Sequence, residues 1–561
     1  MLRRAWRHGL AASSLVLEAL LRALGRRPPY GILKVDLAGE LAEEPVEHRL
    51  LAMLQPHRDD YFNLIVLLRW AREDPQLRGV FVRCENLRGG WAKIQEIRRS
   101  LMALRQAGKA VWVHLTHPGI REYVLASAAD QIILTPAGTL DVAGLSSEVT
   151  FVAGALKKLG IQAELVQMGK YKSAAETFTR SDMSEPHREM VESLIQDLYE
   201  QVVDAIAEGR GMGGEAVRHL LDRGPFMARE AAQEHLVDAL LYDDEAEARM
   251  RARCDDQAVI ERSAYFSRRA RAARREMLRH GRPAIGLLHV TGSIKTGENI
   301  SGTGAASACG AAAVARDLKA LRERRDIGAV VIRISSPGGS GLASDLIWHE
   351  VMRTRKQKPV VVSFGDVAAS GGYYVGVAGN PVLAEAGTIT GSIGVLAGKA
   401  LLKGLYDQLG ITKQVITRGR HAALYSDYVP LGEEERQRLQ TEAEFFYADF
   451  IDKVASGRQL SAGAVAAAAE GRVWSGRQAK EIGLVDQLGG IEEALDEAKV
   501  LAGLTPDVRV SVERYPRPRR LWKLSMNLAP PQSRLHALHP WVRFITSERL
   551  WAILPFNFRF F

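Results

Sequence analysis

KPVVVSFGDVAASGGYYVGVAG, residues 358–379, is the stretch on which the reading of the fold turns. Residues 360–364 are apolar and rich in valine, the pattern of a short strand covered on both faces in a parallel sheet. The small residues that follow suit a tightly packed helix start. Ser370 therefore falls on a strand-to-helix turn, its hydroxyl aimed out of the carboxyl edge of the sheet. The next N–H groups, beginning with that of Gly371, stand at the positive end of the helix, where an oxyanion can be held. A helix N-cap is the ordinary alternative for a serine in this position.

Two neighbouring stretches extend the pattern. VVIRISSPGGSG, residues 330–341, reads as another buried strand, ending in a Pro-Gly-Gly turn that leaves the Gly338 and Gly339 amides unobstructed by side chains. GTITGSIGV, residues 387–395, puts a second glycine-flanked serine, Ser392, on the next strand-end loop of the same sheet edge. No histidine accompanies these motifs at a fixed spacing. His349 falls on the intervening helix and His421 lies beyond the last motif, so a lysine is the base to seek, with His421 as a minor alternative.

Strand and helix patterns alternate from residue 30 onward. GILKVDL, GVFVRC (79–84), KAVWVHL, DQIILT and IQAELVQ read as strands, with helices over 92–107, 119–128 and 150–159 between them. Such alternation builds βαβ units and a mostly parallel sheet covered by helices. A longer helix over 186–209 carries Met190, Leu194, Leu198, Val202 and Ile206 at four-residue spacing, with Ser184 as its N-cap. The pattern then repeats. GVFVR (79–83) recurs as AVVIR (329–333), LGIQAELVQMG (159–169) as LGITKQVITRG (409–419), and AREAAQEHLVD (228–238) as GRQAKEIGLVD (476–486). An offset of about 250 residues is too long for a solenoid, so the chain holds two copies of one α/β domain, 30–243 and 283–514. The Arg- and Ala-rich stretch 244–282 between them reads as a solvated linker helix, with a phosphate-binding patch as the lesser reading.

The copies differ where chemistry would occur. The first has Gly89 and Gly90 but no SPGGS, and its HLTHPGIREYV (114–124) offers no serine where the second has Ser370. Conversely, the position in the second copy that matches Lys172 is Ala422. One half keeps a lysine and the other a serine, which points to a single site assembled across the copies. Lys172 as a base would need burial to lower its pKa by several units from about 10.4, and Ala174, Ala175 and Phe178 can supply an apolar wall. A solvated loop charge is the ordinary reading of such a lysine, and Lys170 is its rival.

SSPGGS, GDVAASGGYYV and GTITGSIGV, in that order, resemble the core motifs of the signal peptide peptidase A (protease IV) family, peptidase family S49, in its long two-domain form. The likeness runs from about residue 30 to 510. It implies two tandem copies of a domain of the crotonase and Clp-protease type. It also implies that Ser370 is the nucleophile, that Lys172 in GKYKSAAETF (169–178) is its base, and that Ser392 hydrogen-bonds the lysine. The amides of Gly338, Gly339 and Gly371 are the candidate oxyanion donors. The family acts on leftover signal peptides and similar apolar peptides near the membrane. Its members imply a homo-oligomer, a tetramer, and a catalytic part on the outer side of the bacterial inner membrane. No metal or cofactor is expected. Two other classes stay open: an acyl-CoA enzyme of the same fold, and a catalytically silent membrane-associated scaffold.

At 561 residues the chain exceeds one ordinary core, in keeping with two domains. Its formal net charge of +9 is mild and not arranged as a stripe with interleaved aromatics, so nucleic acid is not an expected partner and anionic lipid is the better acidic one. Cys84, Cys254 and Cys309 have no metal or redox spacing and read as structural. Residues 1–29 begin basic and then apolar, but Glu18 and Arg22 interrupt a run that is already short of the roughly 20 residues needed to span a bilayer. The expectation is an amphipathic segment lying at the membrane surface, with a plain docking helix as the alternative. This departs from the family's usual N-terminal span. The tail, residues 515–561, mixes aromatic residues with arginines, which suits a membrane interface or a subunit contact as well as packing on its own domain.

Overall fold

The structure is a computed structural model that describes residues 30–44, 58–280, 283–300, 308–505, 508–517 and 550–553. The strand read at 360–364 extends over Val360–Ala369 and is buried along nearly its whole length, as a strand covered on both faces must be. It lies inside an eight-stranded sheet in which Ser511–Tyr515, Ala284–Thr291, Ile327–Ser336 and Val360–Ala369 run side by side in parallel. Val382–Ala384 continues the sheet and carries Gln487–Leu488. Ile389–Gly391 pairs with the last residues of Val360–Ala369 and carries Val473–Ser475 in antiparallel.

The same order appears about 250 residues earlier. Val259–Glu261, Ile32–Ala42, Gly79–Arg88, Ala110–Leu115, Gln131–Leu134 and Ala239–Leu240 form a wholly parallel sheet, with Arg58–Asp60 beside Ile32–Ala42. The expected α/β class, two copies with mostly parallel sheets covered by helices, is the one observed. The long helix spans Glu185–Arg210, and Ser184 caps it by accepting from the N–H of His187.

Alternating side chains on each strand divide the core into layers. Ile32, Phe81, Trp112 and Ile133 of the first sheet face Met250 and Cys254 on its outer side. Leu33, Val80, Val82 and Val113 face inward, into one continuous core that also holds Ile285, Leu287, Val331 and Val361 from the second sheet. The opposite face of the second sheet, with Leu288, Ile332, Val362 and Phe364, packs on its own helices. The copies therefore share a core. Burying each such side chain contributes about 1.5–3 kcal/mol, so their separation would expose a large apolar face.

Polar contacts fix how the copies meet. Arg99 of the first donates to Glu385 and Glu493 of the second. Arg333, fully buried, reaches Glu43 at 3.2 Å. Asp366, four residues before Ser370, accepts from the N–H groups of Gly90 and Lys93 at 3.1 Å each. It also meets the Lys93 ammonium. Gly90 and Lys93 of the first copy thus seat the strand that leads into Ser370.

The stretch 244–282 differs from the expected solvated linker. Val259–Glu261 is the edge strand of the first sheet, matching Ser511–Tyr515 in the second. The helix Arg262–His280 then docks on that copy. Tyr265 is fully buried with its hydroxyl donating to Asp74 at 3.1 Å, and Phe266 lies against Trp70. Arg268 over the Tyr30 ring and Arg269 near Asp74 add to this docking.

All three cysteines are buried free thiols. No helix among the described residues is long and apolar enough to cross a membrane. The expected amphipathic segment 1–29 and most of the tail lie outside the described residues.

Candidate active site

Ser370 caps the helix Gly371–Gly376 in position only. Its φ of 54° and ψ of −115° put it in a conformation that side-chain-bearing residues rarely adopt, and its hydroxyl makes no capping bond. Sheet pairing and a bond from the Ser370 N–H to the carbonyl of Gly391 at 2.8 Å hold this turn. The result swings Oγ away from the helix and toward Lys172.

Lys172 comes from the first copy. The strand before it, Gln162–Met168, lies outside the first sheet and pairs antiparallel with Val395–Leu401 of the second copy over seven residues, Met168 opposite Val395. The loop that follows is gripped by the second copy's backbone: the N–H of Tyr171 donates to the carbonyl of Glu470 at 2.8 Å. A side chain at Gly471 would run into the Lys172 main chain at 2.5–2.6 Å, so that position needs glycine. On the far side, Glu176 accepts from the Ser184 N–H and from Nδ1 of the buried His187, tying the loop to Glu185–Arg210.

The amine is brought to both serines. Nζ of Lys172 lies 2.7 Å from Ser370 Oγ, 3.0 Å from Ser392 Oγ and 3.0 Å from the Ser392 carbonyl. All three residues are fully buried. Burial drives the Lys172 amine well below the usual lysine range. The apolar wall is built from Ala174 and Ala175, packed with Leu396, whereas Phe178 is only half-buried. Ser392, with φ of 53°, is held by its N–H donating to the carbonyl of Arg472.

The glycine turn lies where the sequence suggested. Gly338–Ser340 is a short strand, and Gly339 packs so closely on Ile294 that a Cβ would meet the Ile294 carbonyl at 2.0 Å. The Gly338 N–H donates to Ser336 Oγ at 3.1 Å, whereas Gly339 stands in the ladder opposite Ile294 and Ala552. Neither histidine joins the site: His349 is exposed, and His421 is exposed and pairs with Glu435. Lys170 is exposed too, its ammonium near Glu470 and over the Tyr171 ring. Among the described residues one carboxylate cluster, Glu96, Glu385 and Glu493, has ligand-like spacing. Arg99 and Arg333 already supply its positive charge.

Comparison with known proteins decides the family. The model of peptidase family S49 matches residues 103–256 and again 352–505. This chain belongs to peptidase family S49. It is similar to "Serine protease SPPA, chloroplastic" of Arabidopsis thaliana, 32% identical over 80% of this chain and 66% of that protein. It is also similar to "Protease 4" of Haemophilus influenzae, 28% identical over 81% of this chain and 75% of the relative. "Protease 4" of Salmonella typhi is 28% identical over 84% and 79%. The S49 chain is accordingly a serine peptidase, a hydrolase of peptide bonds. Among solved structures, ClpP1 from Listeria monocytogenes aligns with 37% of the chain at 16% identity and a TM-score of 0.23, too slight a likeness to argue from.

Sequence reasoning missed the grip on the lysine loop. Gly471 stands in EGRVW without a motif around it, and Glu176 looks like a surface acid in AAETF. The one available signal was the acid Glu176 inside the lysine motif GKYKSAAETF itself.

Proposed function

We propose that this peptidase is a serine endopeptidase with a Ser-Lys dyad that degrades cleaved signal peptides and other apolar peptides at the membrane. The observation that carries the reading is the 2.7 Å contact between Lys172 Nζ and Ser370 Oγ in a buried setting that favours the neutral amine. Neutral Lys172 takes the hydroxyl proton as Ser370 Oγ bonds to the scissile carbonyl carbon. The N–H groups of Gly339 and Gly371 hold the resulting oxyanion. The intermediate collapses as protonated Lys172 gives its proton to the departing amine. Water then bonds to the acyl carbon as Lys172 takes its proton, and on collapse the acyl bond to Ser370 breaks while Lys172 returns that proton to Ser370 Oγ. Ser392 keeps the amine aimed throughout. An acyl-CoA enzyme would use the glycine amides but has no role for a buried lysine against a serine, and a silent scaffold has no role for either.

The experiment is fluorophosphonate labelling followed by mass mapping. Label on Ser370 of the natural chain, and none in Ser370→Ala or Lys172→Met, is the expected result. Unchanged labelling in Ser370→Ala would remove the nucleophile assignment.

This reading divides the chain into 1–29, 30–243, 244–282, 283–514 and 515–561, the second part bringing the lysine and the fourth the serine. It also includes attachment at the outer face of the bacterial inner membrane through the basic ends, and a homo-oligomer. Support for self-association comes from a contact used once within the chain. Gly160 packs on the backbone of Gly404, whereas their counterparts in the other copies, Gly410 and Gly154, both face open space. Around Gly410, Leu409 is 63% exposed and Ile416 86% exposed. Residues 409–419 of one chain would meet residues 145–154 of the next, repeating the internal joint head to tail. Ile416→Asp should lower the mass seen by light scattering; an unchanged mass would refute this joint.

A further inference from the structure

The third sheet of the molecule holds a strand from an unexpected place. Its order is Ala308–Gly310, Ser293–Lys295, Gly338–Ser340, Leu550–Ile553, Val395–Leu401 and Gln162–Met168. The tail strand Leu550–Ile553 therefore lies between the glycine strand and the strand that follows Ser392, antiparallel to both. Ile553 stands opposite Gly338, Ala552 opposite Gly339, and Trp551 opposite both Ser340 and Leu396. The same strand lies against the helix Gly371–Gly376, which begins beside Ser370.

Adjacent strands sit about 4.8 Å apart, so the two flanking strands face each other across a gap roughly 10 Å wide. Without an occupant, both edges of that gap would present unpaired N–H and C=O groups, which is how peptide-binding domains capture an extended chain by adding a strand. A peptide in this gap runs past the amide of Gly339 and past Ser370. The gap is thus the peptide slot of the catalytic site read above, and the chain's own LWAI fills it. The sequence is apolar with a small residue opposite Gly339, the chemistry proposed for the substrates.

We infer that residues 550–553 are a resident occupant of the substrate slot, so that the C-terminal tail competes in cis with an incoming extended apolar peptide. The inference rests on the Ser370 reading of the site. A tethered segment acts at an effective concentration on the order of millimolar. If its own dissociation constant is about 100 µM, it raises the apparent KM roughly tenfold.

The test compares the full chain with one ending at residue 517, using a fluorogenic apolar peptide and the rate of fluorophosphonate labelling. Truncation should lower KM and raise kcat/KM about tenfold, and a synthetic peptide of residues 546–561 should inhibit the truncated chain competitively. In the full chain, Trp551→Pro and Ala552→Pro probe the same pairing without shortening the tail. At least one should reproduce the gain, because proline removes a ladder N–H. Equal labelling rates and equal kcat/KM in both chains overturn the inference while leaving Ser370 as nucleophile. Labelling in neither chain overturns both. Activity that falls on truncation and returns when the peptide is added would make the strand a structural member of the sheet, and also overturns the inference.

Discussion

Replacing Lys172 with methionine separates the cost of the buried amine from its use. Among the described residues Nζ meets two hydroxyls and a carbonyl, and burial holds its pKa well below the usual lysine value. In the unfolded chain it returns to about 10.4. Between those two values the unfolded state binds the extra proton, so stability rises with pH at up to about 1.4 kcal/mol per pH unit from this one group. Below the folded-state pKa both states are protonated and the penalty is constant; above about 10.4 it has vanished. Lys172→Met has no such slope. It also leaves Ser370 Oγ and Ser392 Oγ without the amine, which costs about 1–3 kcal/mol per group but does not vary with pH. The difference in unfolding free energy, natural chain minus variant, should therefore climb with pH. Two pH units inside the window give about 2.7 kcal/mol. Urea titrations at constant ionic strength from pH 6 to 10.5 measure it. Over the same pH range log kcat/KM of the natural chain should rise up to the folded-state pKa of Lys172 and level above it, while the variant stays inactive. A difference that is flat over the whole range would refute the buried neutral amine, whatever the activity of the variant.

Other outcomes follow from the same geometry. Ser370→Gly should be more stable than Ser370→Ala by about 1 kcal/mol in urea unfolding, because glycine relieves a φ of 54°, and both should be inactive. Lys170→Met should keep nearly all activity and stability, since an exposed pair with Glu470 contributes about 0–1 kcal/mol; loss of activity there would reverse the choice of lysine. Arg333→Leu should destabilise by about 3–5 kcal/mol in the same assay, because it leaves the buried Glu43 carboxylate with the Lys93 ammonium alone, at 3.5 Å, and removes a positive charge beside the buried Glu96. Membranes carrying the protein should release it in high salt or carbonate, as expected of surface attachment at about 1 kcal/mol per basic residue; retention until detergent is added would show a firmly inserted segment.

Much of this was legible because the decisive features are local. A valine run, a Pro-Gly-Gly turn and glycine-flanked serines state their backbone needs within ten residues, and the 250-residue repeat exposed which copy had lost which group. What escaped was set by distant partners. LWAI is four apolar residues in a mixed tail, and nothing near it in sequence names the glycine strand as its neighbour. Tyr265 and Phe266 stand among many arginines, although the buried ring of the first and the half-buried ring of the second hold that helix against the first copy. Residues 409–419 match 159–169 in pattern but form no strand: the pairing that Gln162–Met168 makes with Val395–Leu401 has no counterpart there among the described residues.

The grip of Glu470 and Gly471 on the lysine loop also bears on how the protein is made. A ribosome delivers Lys172 about 300 residues before it delivers the backbone that positions it. Domains fold from the N-terminus as they emerge, so the first sheet can be complete while its lysine has no serine to activate. Even after Ser370 has emerged, the loop has no floor until Gly471 follows. With the proposed Ser-Lys dyad, a nascent chain would thus be inert beside the other unfolded polypeptides it passes, and would become a peptidase only when its two halves have closed on each other.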